Sequence, residues 1–215
     1  MHRPRRLLAR LASLAAVAAL LLVAFRASAE ASPHSADGAY GRLDGDLLLG
    51  ADATVTLGED GGAVGARVVA TYLTMVGLYA AYDEGVGAAE QPLVRRFAGG
   101  IGVRPLFLGR FVSDLERGPA LLDLWLDSFG LEVGAFVGWR EHEGCHGACR
   151  VDGLEVAGTM TLPLLSRVSG PSLGLRAGAR APLGGEATDL GPEGFLTLSL
   201  GYQALVATGL VDSAR

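Results

Sequence analysis

The sequence predicts an all-β fold: an antiparallel up-and-down transmembrane β-barrel of eight strands behind an N-terminal export signal. Three observations predict it. Residues 42–58 alternate with a period of two. The same period recurs to the end of the chain. A basic, then apolar, then small-residue leader precedes it. Successive side chains of a strand point to opposite faces, so strict alternation reads as a strand with one apolar and one polar face.

In the first strand, Arg42–Gly58, one face carries Leu43, Gly45, Leu47, Leu49, Ala51, Ala53, Val55 and Leu57. The other carries Arg42, Asp44, Asp46, Gly50, Asp52, Thr54 and Thr56, with Leu48 out of phase. The leader has Arg3, Arg5, Arg6 and Arg10, then an apolar run from Leu11 to Phe25, then Ala27-Ser28-Ala29. This is the layout of a secretory signal peptide over residues 1–29. The apolar run is shorter than the roughly 20 residues of a spanning helix. A flexible segment is expected over 30–40, the barrel over 41–207 and a tail over 208–215.

All 18 basic residues are Arg, and five of them lie in or beside the leader. The remaining 13 face 23 acids, a net charge of −10, which disfavours a nucleic-acid partner. No later stretch is long and apolar enough for a spanning helix. A membrane form must therefore be a closed barrel, because lipid leaves the open edge of a sheet without partners.

The remaining strands follow in order. Glu59-Asp60-Gly61-Gly62 is a turn by composition. Strands are expected at Ala63–Leu73 and Val76–Tyr82, and at Arg95–Phe107 with Phe97, Gly99, Ile101, Val103 and Phe107 on one face. Phe129–Trp139, Leu154–Leu164, Leu173–Ala181 and Phe195–Val206 complete eight. The longer loops 83–94, 140–153 and 182–194 then share one end with the turn 59–62. The connections 74–75, 108–128 and 165–172 share the other.

Segment 108–128 is read as a long inner connection, with Phe111, Val112 and Leu115 forming an amphipathic turn. Pro119–Asp127 also alternates, with Leu122, Leu124 and Leu126 against Asp123, Trp125 and Asp127. A ninth strand there conflicts with the even strand number of single-chain bacterial barrels. A ten-stranded barrel is the alternative.

Alternation alone fits a soluble lipocalin-like barrel as well as a membrane barrel. The non-apolar faces favour the membrane form. One reads Gly130, Glu132, Gly134, Phe136, Gly138, and another Gly174, Arg176, Gly178, Arg180. Glycine packs nothing on a solvated strand but fits a narrow lumen. The polar faces then place Asp44, Asp46, Asp52, Arg67, Arg96, Arg104, Glu132, Glu155, Arg176 and Arg180 inside as a charge network. Buried charges are tolerated when paired.

These features resemble the small outer-membrane barrels of Gram-negative bacteria, the group of the OmpA barrel domain, OmpX and OmpW. The resemblance spans about Gly41 to Val206 and rests on pattern. It implies an outer-membrane protein that contacts lipid and is inserted by the barrel-assembly machinery. The terminal aromatic usual in that group is missing, since Ala207–Arg215 follows the last strand.

One cluster stands apart. Arg140–Asp152 holds His142, Cys145, His146 and Cys149. The spacing lacks the two separated ligand pairs of a zinc site. A Cys145–Cys149 disulfide on an exposed loop is the simpler reading, and no cofactor is expected. No Ser is set beside a His by the strand register. The expected function is a structural or interaction barrel rather than an enzyme, its surface partner unspecified. A narrow transporter or small-ligand channel, a periplasmic barrel for an apolar ligand and an outer-leaflet lipid-modifying enzyme are the alternatives.

Overall fold

The computed structural model describes residues 45–86, 92–113, 119–141, 148–165, 167–186 and 191–208. Eight strands form one closed antiparallel barrel: β1 Leu47–Gly58, β2 Gly61–Tyr72, β3 Val76–Gly85, β4 Leu93–Val103, β5 Gly130–Glu141, β6 Ala148–Pro163, β7 Gly170–Gly185 and β8 Glu193–Val206. Each strand pairs with its neighbours in sequence. The ring closes where β1 meets β8, from Leu47↔Val206 to Gly58↔Phe195. Closure leaves no exposed sheet edge. Two short helices, α1 Pro105–Val112 and α2 Ala120–Asp127, lie between β4 and β5.

The barrel thus has a loop end and a helix end. The loop end carries the two-residue hairpin Glu59–Asp60, where Gly61 takes a φ of 99°. Such left-handed backbone favours glycine. The helix end carries both helices and the 73–75 turn.

The apolar faces point outward. Val55, Leu78, Ile101, Val133, Leu198 and Leu200 are each more than half exposed. The lumen faces are polar or small: Asp52, Thr54 and Thr56 of β1, and Glu132 and Arg176 of β5 and β7, are buried. Eight strands leave an interior just wide enough for side chains.

Several expectations are corrected. The strand expected at Arg95–Phe107 ends at Val103, because Pro105 starts α1 and removes a ladder donor. Phe107 therefore sits buried on a helix. Within Pro119–Asp127, residues Ala120–Asp127 are helical, which removes the ninth strand and the ten-stranded alternative. In α2 Asp123 and Asp127 stand four apart on one face, where both meet Arg110 of α1. That period-four pairing prevails over the period-two pattern of Leu and Asp. The strands also run further toward the loop end than expected, since β3 continues to Gly85 and β6 starts at Ala148.

Leu48, the residue out of phase in the first strand, has a physical reason. It faces the lumen and is 2% exposed. There it packs with Leu124 of α2 and Val168, with Leu205 alongside. The helix end is thus covered by α2, pinned by Arg110 and by the Thr161 N–H, which donates to Ser128 Oγ at 2.9 Å.

Candidate functional site: the charged lumen

Alternation turns every second residue of each strand inward, so six arginines from four strands and from just beyond β4 converge on one narrow space. Five of them form two ion-pair networks, and the sixth, Arg104, stands apart.

The first lies at the loop end. The guanidinium of Arg96 donates to Asp83 at 2.7 Å and to Asp60 at 3.0 Å. Arg140 donates to Asp60 at 3.3 Å and also to Glu193. Thr56 and Thr197 share a hydrogen bond of 2.9 Å beside them. Asp60 enters this network from the hairpin tip.

The second network centres on Glu155. It accepts from Tyr79 Oη at 2.8 Å, Arg176 at 2.6 Å and Arg180 at 3.1 Å. Arg176 also donates to Glu132 at 2.8 Å, and Arg67 bridges Glu132 to Asp52, the latter at 3.5 Å. Aromatic faces add to this packing. The Arg180 and Arg176 guanidinium carbons lie 3.7 and 4.7 Å from the Phe195 ring centre, within cation–π range.

Glycine makes room for these groups. A Cβ at Gly134 would lie 2.3 Å from Tyr79 Oη, and one at Gly201 would lie 2.0 Å from Asp52 Oδ1.

Towards the helix end the packing loosens into a polar cavity of about 50 Å³, lined among others by Thr54, Thr71, Thr161, Ser199, Gln203 and Arg104. That volume holds a few waters. Arg104 also lines a smaller cavity beneath α2, beside Phe107, Leu124 and Ser128.

Of the residues expected in the lumen network, Asp52, Arg67, Arg96, Glu132, Glu155, Arg176 and Arg180 are brought into ion pairs. Asp46 is not among the partners of these arginines. It sits at the helix end, where the Thr208 N–H and hydroxyl donate to it at 2.6 and 2.5 Å. Arg104 faces the cavity without an ion pair among the described residues. Asp44 lies outside the described residues.

Sequence reasoning missed Asp60, Asp83, Arg140, Glu193 and Tyr79. Four of these fell in segments read as turn or loop. Three of the four were in phase with lumen residues of their own strands: Asp83 with Tyr79, Arg140 with Glu132 and Glu193 with Phe195.

Cys149 departs from the loop reading. It belongs to β6, is fully buried, and packs with Phe136 and Val151. It is in phase with Glu155 and so faces the lumen. His142, Cys145 and His146 lie outside the described residues.

The outer face carries aromatic residues near both ends. Tyr82, Phe97 and Trp139 form a row towards the loop end, with ring centres 4.8 and 6.3 Å apart. Arg95 lies 4.7 Å over Trp139. Trp125 and Phe129 pair edge-on at 5.7 Å towards the helix end.

A scan of family models and a search of curated proteins return no match. Among solved structures, the N-terminal β-barrel domain of Pseudomonas aeruginosa OprF is similar at 9% identity and a TM-score of 0.47. The match covers 73% of this chain and 97% of that one. Ail, the attachment invasion locus protein of Yersinia pestis, in complex with the heparin analogue sucrose octasulfate, matches at 11% identity and 0.37, covering 74% and 97%. The de novo designed TMB2.3 matches at 13% identity and 0.36, covering 76% and 98%.

Proposed function

We propose that this chain is an outer-membrane β-barrel of structural or interaction type, with a lumen closed by its own side chains and with its loops as the working surface. The observation that carries this reading is the inside-out arrangement of the barrel. Apolar side chains form its outer wall, and buried Arg–carboxylate pairs fill its interior. A soluble protein rarely exposes a contiguous apolar patch above a few hundred Å², and here the apolar face runs around all eight strands. The strands, at 10–16 residues, reach the roughly 9–11 needed to cross a bilayer at a tilt. Aromatic residues near both ends suit the two interfaces.

On this reading residues 1–29 direct export, the assembly machinery inserts the barrel, and the loop end faces outward. Cys145 and Cys149 form a disulfide at the mouth, supported by the absence of a free cysteine among the described residues. The ion-pair networks argue against an open conduit, because a transported solute would have to break several buried pairs.

Cell fractionation with gel migration before and after boiling tests the reading. The chain is expected in the outer-membrane fraction, with folded and boiled forms migrating differently. Recovery in the soluble periplasmic fraction would overturn it. Bilayer conductance by the purified barrel would favour a channel instead.

A further inference from the structure

We infer that the lumen holds a binding site for a small monovalent inorganic anion of the chloride class, anchored on Arg104 and reached from the helix end. The charge balance of the two ion-pair networks leads there. The loop-end network joins Arg96 and Arg140 to Asp60, Asp83 and Glu193, a net of −1. The central network joins Arg67, Arg176 and Arg180 to Asp52, Glu132 and Glu155, a net of zero. Arg104 belongs to neither, and no carboxylate lies within ion-pair distance of it among the described residues.

A guanidinium does not shed its proton in a protein, and a charge withdrawn from bulk water needs a partner. The same cavity is lined by two further donors without an acceptor, Arg67 Nε and Thr54 Oγ1. Water would satisfy a hydroxyl, but only an anion also neutralises Arg104. A cation is disfavoured, because Asp52 and Glu132, the carboxylates lining the cavity, are already held by Arg67 and Arg176. The small volume selects a halide-sized ion over an organic acid. Arg104 also lines the smaller cavity under α2, where the Asp127 carboxylate is paired with Arg110, and this cavity gives the ion its approach.

The test uses the purified full chain, folded in a non-ionic detergent, at constant ionic strength. Chloride replaces gluconate, an anion too large for the cavity. The unfolding equilibrium of the wild type is expected to shift saturably towards the folded state, by about 11-fold at ten times the dissociation constant. Arg104→Met, checked for a folded barrel by its migration before boiling, is expected to lose that shift.

Equal stability in chloride and gluconate would overturn the site. So would a chloride response that survives in Arg104→Met. Crystals of the wild type soaked in bromide provide a measurement independent of the variant's folding. Anomalous density within hydrogen-bonding distance of the Arg104 guanidinium supports the site, and its absence from the cavity at saturating bromide contradicts it.

Discussion

The two halves of the lumen solve the problem of buried charge differently. Towards the loop end, and through the centre, the carboxylates at the heart of each network are shared. Asp60 serves Arg96 and Arg140, while Glu155 serves Tyr79, Arg176 and Arg180. Towards the helix end hydroxyls line the wall between fewer ion pairs, a cavity opens, and α2 covers the mouth with Leu124 against Leu48. Ion pairs thus plug the first half, and an apolar helix contact closes the second. The difference teaches that sharing sets the cost of a substitution. A carboxylate with three donors strands several groups at once, whereas a cavity-side hydroxyl strands none.

Glu155→Leu gives the sharpest break. It leaves Arg180 without its acceptor and Arg176 with one fewer. Breaking a buried pair from one side costs about 3–5 kcal/mol, so a loss of at least that size is expected in urea unfolding from phospholipid vesicles. A loss below about 1 kcal/mol would mean that the centre is no tighter than the cavity half.

Gly134→Ala tests packing without touching charge. The new methyl would meet Tyr79 Oη and the Gly99 carbonyl oxygen, at 2.3 and 2.4 Å before relaxation. Overpacking of this kind costs about 1–3 kcal/mol. The same unfolding assay should place it below Glu155→Leu, and a larger loss would show that Tyr79 positions the network.

Ser172→Ala is the small effect. Ser172 lies near the helix end, and its Oγ is buried without a partner. Removing an unsatisfied hydroxyl is close to neutral, so a change within about 0.5 kcal/mol is expected. A loss above about 1 kcal/mol would give that half a polar network of its own.

Much of this division was legible in the sequence. Alternation from Leu47 to Leu57 gave β1 its faces, and Arg176 and Arg180 were in phase with the glycines of β7. What stayed hidden depended on contacts distant in sequence. Asp60 reads as a turn residue, and only the hairpin's inward fold makes it a ligand for two arginines. Leu48 looked like an error in the pattern until α2 supplied Leu124 as its partner. The Leu–Asp alternation of α2 suits a strand as well as a helix, and the spacing of Asp123 and Asp127 from Arg110 decides between them. The start of β6 was hidden because Gly147, Ala148 and Cys149 have the composition of a loop, although Cys149, Val151 and Gly153 keep the phase of Glu155.

The central claim is that the outer wall faces lipid while the charges face inward. Leu200 tests it most directly. It lies near the middle of β8, points outward and is 56% exposed. An arginine facing lipid at the bilayer midplane costs about 2–4 kcal/mol. Leu200→Arg is therefore expected to lower the unfolding free energy in phospholipid vesicles by that amount, with the barrel still assembled. An unchanged or raised stability would mean that this face meets water, and would contradict the account.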